Sequence, residues 1–319
     1  MSCIVCGSSE ENLCQNCDEK LSFFEFSGTY PGDSVVGRFN AVMRGEGNLE
    51  LSRIEDYNRL FELLQVPQVP VRPGFVLTVG DIEVINSGVE LLKKELKKGV
   101  GSLNTGFLLR LATLYCIKER KGEPAVILGK LALKSEPENI DANLVCGFGF
   151  IVWGEPTEAS KFFDFVIEKQ PENAIAWYGR ALVMKASGRW GAAIQFLNEA
   201  IKIDENFYLA HLEKARILFN QQRFGEADKS ADHAIRITPD IASAWALKAE
   251  ILNAQGKWGG AYQCLNQAIS LEPLNCEYLL QKAKLLIKHN RKAEAKEILD
   301  EIVNYEKSEE VNNLQRECE

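Results

Sequence analysis

Alanine recurs at Ala125, Ala159, Ala193, Ala227, Ala261 and Ala295, six positions each 34 residues apart with no insertion between them. A period of that length, held this strictly, requires one supersecondary unit stacked on copies of itself. Each unit reads as two helical patterns around a turn. From Ala174 the apolar skeleton is Trp177, Ala181, Met184, Ala193, Leu197 and Ala200, with Gly188 at the turn. The next units carry His211, Ala215, Leu218, Ala227, Ala231 and Ala234, then Trp245, Ala249, Leu252, Ala261, Leu265 and Ala268. Small residues at fixed places let two helices approach closely while the large ones fill the space between pairs. Pro137, Pro171, Pro239 and Pro273 stop the second helix at a constant phase.

These residues resemble the tetratricopeptide repeat, whose pattern is W-x2-L-G-x2-Y followed by Ala, an aromatic, Ala and Pro. The resemblance covers residues 106–309 as six units starting at Gly106, Ile140, Ala174, Tyr208, Ala242 and Cys276. It implies an all-α fold, a right-handed α-solenoid of six helix pairs, followed by a tail over 310–319. Arg120 and Lys121 stand where the first unit's turn is expected. The family's leucine at the seventh place is replaced by Arg180, Lys214, Lys248 and Lys282, a basic ladder at 34-residue spacing. Either the aliphatic stems pack while the charges reach neighbouring carboxylates, or the ladder tracks an acidic or phosphate-bearing ligand.

The resemblance also implies a concave peptide groove lined by the first helix of each unit. Its residues here are Phe107, Arg110, Leu114, Leu144, Phe148, Ile151, Tyr178, Leu182, Leu212, Arg216 and Phe219. The first four units are apolar along this surface, and units five and six are polar, with Glu250, Asn253, Glu277 and Lys284. An apolar groove of that extent is expected to be covered. Residues 23–98 could fold into it, a helical or extended segment of another protein could dock, or the chain could associate with itself. The Lys and Asn residues of a carboxylate clamp are missing from the first two units.

Ahead of the repeats, Cys3-x2-Cys6-Gly7 and Cys14-x2-Cys17 are separated by seven residues. Two such pairs have the spacing of a tetrahedral zinc site, with Cys3, Cys6, Cys14 and Cys17 as thiolate ligands. Residues 1–22 resemble the short zinc-ribbon modules found at protein termini. So short a segment cannot bury an adequate core, which makes Zn2+ structural. Four thiolates leave no open position for catalysis. The module carries Glu10, Glu11, Asp18 and Glu19 against Lys20, which disfavours nucleic acid.

Residues 23–105 read as mixed linker and cap. Leu51, Ile54, Tyr57, Leu60, Phe61 and Leu64 mark one helical face. Pro67, Pro70 and Pro73 end that helix and predict an extended linker. A second helix is predicted over Asp81–Lys98, N-capped by Asp81 and packed on the open end of the array. Its lysines 93, 94, 97 and 98 read as a solvated face.

The net charge of −8 and pI near 5.3 speak against a broad nucleic-acid or anionic-membrane surface. The longest apolar run, Ala142–Trp153, is too short to span a bilayer. Without a secretory signal pattern, and with nine cysteines in no disulfide framework, a cytoplasmic location is expected. The three histidines fall inside repeats, and no phosphate-binding loop, His-Glu-x-x-His or nucleophile elbow occurs. The sequence therefore predicts a non-enzymatic scaffold or adaptor binding peptide segments of protein partners. The alternative is a regulatory or accessory subunit of an enzyme or nucleic-acid-associated complex using the ribbon.

Overall fold

A computed structural model describes residues 3–4, 12–24, 53–63, 65–71, 79–99, 104–303 and 309–318. Cys6, Leu51, Leu64 and Pro73 lie outside the described residues, as do Gly7, Glu10 and Glu11. Among the described residues there are sixteen helices and no strand, the all-helical class that the 34-residue period predicts. The chain divides into two compact units, residues 1–189 and 190–319.

Unit 1 begins with α1 (Gln15–Lys20), α2 (Ile54–Leu63) and α3 (Val79–Lys98). The α3 helix starts two residues before Asp81, so Asp81 lies inside the helix and is not its N-cap. Two helical hairpins follow: α4 (Thr105–Ile117) with α5 (Gly122–Ser135), then α6 (Ile140–Trp153) with α7 (Pro156–Lys169); α8 (Ala174–Ala186) ends the unit. One continuous core joins α1, α2 and α3 to the first hairpin and the start of α6. It takes Leu13, Leu21 and Phe24 from the N-terminus, Leu60 and Phe61 from α2, Ile85, Val89 and Leu92 from α3, and Phe107, Leu111 and Leu128 from the first hairpin.

Unit 2 contains α9 (Trp190–Ile203), then the hairpins α10 (Tyr208–Asn220) with α11 (Phe224–Ile237), α12 (Ala242–Ala254) with α13 (Trp258–Leu271), and α14 (Cys276–Lys288) with α15 (Lys292–Val303). The expected tail forms a helix, α16 (Glu309–Cys318). Its Val311 is buried among Leu279, Leu286 and Leu299, and its Glu310 pairs with Lys284 at 2.6 Å. Glu310 stands 34 residues after Cys276, so α16 continues the repeat register as a further first helix.

The repeat sets local geometry as well as spacing. Positive φ occurs at Arg120, Gly154, Gly188, Gln222, Gly256 and Asn290, all 34 apart. Each closes a first helix in the left-handed conformation, with the next amide bonding back to a carbonyl of the last turn, as Arg223 N–H does to Leu218 O at 2.9 Å. Arginine and glutamine pay about 1 kcal/mol for a backbone that glycine adopts freely. At the other end, Asn139, Asn173 and Asn275 accept backbone N–H bonds as side-chain caps of α6, α8 and α14.

Gly147 and Gly179 make room for one aromatic ring between two first helices. A Cβ at Gly147 would lie 2.6 Å from the Phe163 ring, and one at Gly179 would lie 2.2 Å from it. Phe163 is therefore wedged, fully buried, between α6 and α8.

Candidate metal centre and inner face

The N-terminal segment brings Cys3, Cys14 and Cys17 together, with their sulfurs all within 4.8 Å of one another. Tetrahedral zinc with Zn–S of about 2.3 Å places sulfurs roughly 3.8 Å apart, so the cluster fits. Two backbone features build it. Ile4 N–H donates to Asn12 O at 2.7 Å, bringing the first turn against the second, and Cys14 N–H donates to the Cys3 sulfur at 3.4 Å. Cys14 opens α1, so Cys17 falls one turn later on the same side. Cys3 and Cys17 are buried, and Cys14 is partly exposed.

The module is joined to the rest of unit 1. Asn12 donates to Lys97 O at 3.0 Å, Asp18 pairs with Lys97 at 3.2 Å, and Lys20 pairs with Glu123 at 2.6 Å. Tyr115 donates its hydroxyl to Ser22 O, and Lys134 reaches Ile4 O. The Asn86 amide both donates to and accepts from the Phe24 backbone, at 3.1 and 2.7 Å. The α3 lysines are thus partly engaged: Lys93 and Lys97 face Asp18, and Lys98 pairs with Glu95.

In unit 1 the inner-face residues meet the chain's own N-terminal region. Phe107 stacks on Phe61 with ring centroids 5.6 Å apart and meets the edge of Tyr57 at 6.2 Å. Arg110 donates to Asn58 Oδ1 at 2.6 Å and to Glu62 Oε1 at 3.2 Å, while Thr113 donates to Gln68 O at 2.9 Å. The Gln68 amide, oriented to satisfy its neighbours, bridges Arg110 and Asp141. Val66, Val69 and Val71 are buried, so part of the expected extended linker is packed structure. Phe107, Leu114 and Leu144 have essentially no exposed surface. Phe148 is buried against Phe163 and Tyr178, and Ile151 and Leu182 are partly exposed.

Unit 2 differs. Leu212 is buried, but Phe219 is partly exposed and Arg216 keeps 43 % of its side chain open, with Glu213 at 3.6 Å. Ala249, Glu250, Asn253, Gln281, Lys284 and Lys288 help line a cleft of about 210 Å³. Gln281 donates to Glu250 at 2.9 Å and Lys288 to Asn253 at 3.2 Å. Burial holds the Glu250 carboxyl above the ordinary carboxylate range, against the pull of Arg216 and the Gln281 bond.

The basic ladder is paired at a fixed offset. Arg180 meets Asp164 at 2.7 Å, Lys214 donates to Asn198 at 2.7 Å, and Lys248 is held by Asp232 and Asp228. Asp164, Asn198 and Asp232 are themselves 34 apart, sixteen residues before their cations, which was readable in the sequence. Lys282 sits over the Tyr262 ring at 5.1 Å.

A family model described as Tetratricopeptide repeat matches residues 184–251 and again 252–318, and a second of the same description matches 154–206. Among solved structures, PilW, described as a widely conserved type IV pilus biogenesis factor, aligns with a TM-score of 0.58 at 21 % identity, covering 66 % of this chain and 97 % of its own. PilF of Pseudomonas aeruginosa gives 0.56 at 18 %, covering 67 % and 97 %. A tetratricopeptide repeat protein of Parabacteroides merdae gives 0.55 at 18 %, covering 74 % and 94 %. At these identities the likeness is one of fold. No curated protein sequence matches the chain. No helix among the described residues is long and apolar enough to cross a membrane.

Proposed function

This chain is a tetratricopeptide-repeat protein, and from that premise we propose a non-enzymatic scaffold that docks peptide segments of protein partners on the inner face of unit 2. Repeat proteins of this kind act as protein-interaction scaffolds, and the finer reading rests on one observation. The apolar inner face of the first repeat is occupied by Tyr57, Asn58, Phe61, Glu62 and Gln68 of the same chain, while Arg216, Phe219 and the cleft between Glu250 and Lys284 remain accessible. A partner would lay apolar side chains near Phe219 and satisfy the amides and charges of the cleft.

The cysteine cluster supports structural zinc, with Cys6 as the fourth ligand by sequence spacing. Bound zinc stabilises small folds by on the order of 10 kcal/mol, and four thiolates leave it no catalytic position. The basic ladder does not favour an acidic ligand, because its side chains already have internal partners.

Photo-crosslinking from single sites tests the docking face. A crosslinker at position 219 or 284 is expected to capture a defined protein partner in cells, and one at 107 or 114 to capture none. Adducts from 107 with silence at 219 would overturn the assignment.

A further inference from the structure

We infer that metal occupancy of the cysteine cluster controls whether the inner face of the first repeat stays covered. The inference rests on the zinc reading above and concerns what the metal does to the rest of unit 1. Among the described residues of the N-terminal segment, 3–4 and 12–24, the buried apolar side chains form no separate core. Leu13, Leu21 and Phe24 instead enter the same core as Leu60 and Phe61 of α2, Val89 and Leu92 of α3, and Phe107 of α4. A segment of this length has too little apolar surface to fold on its own, and a metal crosslink would hold those three side chains in register. The three converging sulfurs supply the place for one.

The path from the cluster to the inner face is short and packed. The module holds α3 through Asn12 on Lys97 O, Asp18 on Lys97, and the paired bonds between Phe24 and Asn86. In turn α3 holds α2, since a Cβ at Gly88 would come within 3.1 Å of the Tyr57 ring. Then α2 covers α4, through the Phe61 stack on Phe107 and the Asn58 and Glu62 bonds to Arg110. Losing the metal frees Leu13, Leu21 and Phe24 from this core, loosens α3, and so releases α2. Phe107, with Arg110 beside it, then loses its cover. The device is local: the cores of unit 2 contain none of these residues.

Hydrogen exchange on the full chain tests this, with zinc measured on the same samples before and after chelation. The expected result is about one zinc per chain as purified. Removing it should cut amide protection in α2 and α4 at least tenfold, leave α12 and α14 unchanged, and be reversed by zinc but not magnesium. Confirmed zinc loss with unchanged protection in α4 would overturn the inference and leave the zinc site standing. Equal loss in both units would also overturn it, since the effect would be global. No zinc bound or taken up would sink the site and the inference together. Cys14→Ser should reproduce the chelated pattern; if it does not fold, the chelation series still decides.

Discussion

The two units are built from the same repeat, yet one has covered the inner face of its first repeat and the other has left its inner face open. In unit 1 the first helices carry Phe107, Leu114, Leu144 and Phe148, and the chain supplies its own aromatic and amide groups to cover the first of them. In unit 2 the ninth places of the first helices hold Arg216, Glu250 and Lys284, polar groups that each keep part of their surface open to water. The difference teaches that an apolar inner surface is not by itself a ligand site. Apolar surface of that extent is covered at once by whatever segment is tethered nearby, whereas a polar, cleft-bearing surface persists and can wait for a partner.

Three experiments press on this comparison, in decreasing order of expected effect. Phe61→Ala should remove the ring stacked on Phe107 and destabilise unit 1 by about 3–5 kcal/mol. Denaturation followed by exchange should show the loss in α2 to α5, with unit 2 unaltered. A small effect would mean that α2 is a loose strap and not part of the core.

Acid should act on the other unit. His211 takes the place of Trp177 and Trp245, whose indole N–H groups donate to Pro171 O and Pro239 O at 2.7 Å; its Nε2 repeats the bond to Glu205 O at 3.1 Å. Its ring stacks on His233 at 5.3 Å. Burial, with His233, Lys214 and Arg236 nearby, holds His211 below its ordinary value of 6.5, and only the Glu205 carbonyl opposes them. The unfolded chain therefore takes up that proton first. The stability due to neutral His211 is complete above 6.5 and is lost as pH falls below it. Unit 2 should lose thermal stability between pH 7.5 and 5.5, and His211→Trp should flatten that dependence. An unchanged slope in the variant would remove His211 from the account.

The smallest effect concerns the left-handed turns. Gln222→Gly should stabilise unit 2 by roughly 1 kcal/mol, because glycine already serves at 154, 188 and 256. Urea midpoints of the two proteins would read it directly, and a destabilised variant would contradict the turn geometry.

Much of this was legible in the sequence. The 34-residue period fixed the hairpins, Gly188 marked a turn, and the small residues at 181, 193 and 200 are fully packed. Less was legible where the period meets other constraints. The left-handed positions at Arg120 and Gln222 are hidden because neither residue announces positive φ, although their 34-residue offset from Gly188 does. The same offset marks Glu310 as the start of a helix, but α16 is polar on its exposed face and lacks the alanine signature. The cover over Phe107 was one of several options, since local patterning reveals that α2 is amphipathic and not which surface receives it. The cysteine spacing predicted four ligands, and the fold shows three of those residues, Cys3, Cys14 and Cys17, converging beside the first hairpin.

Hydroxyl-radical footprinting of the native, zinc-loaded chain tests the contrast between the units most directly. It compares inner-face side chains of the two units in one molecule, with no substitution; Leu144 and Leu280 stand at the same repeat place. The account predicts oxidation of Phe219 and Leu280, and protection of Phe107 and Leu144 after correction for intrinsic reactivity. Comparable oxidation of Phe107 and Phe219 would contradict it.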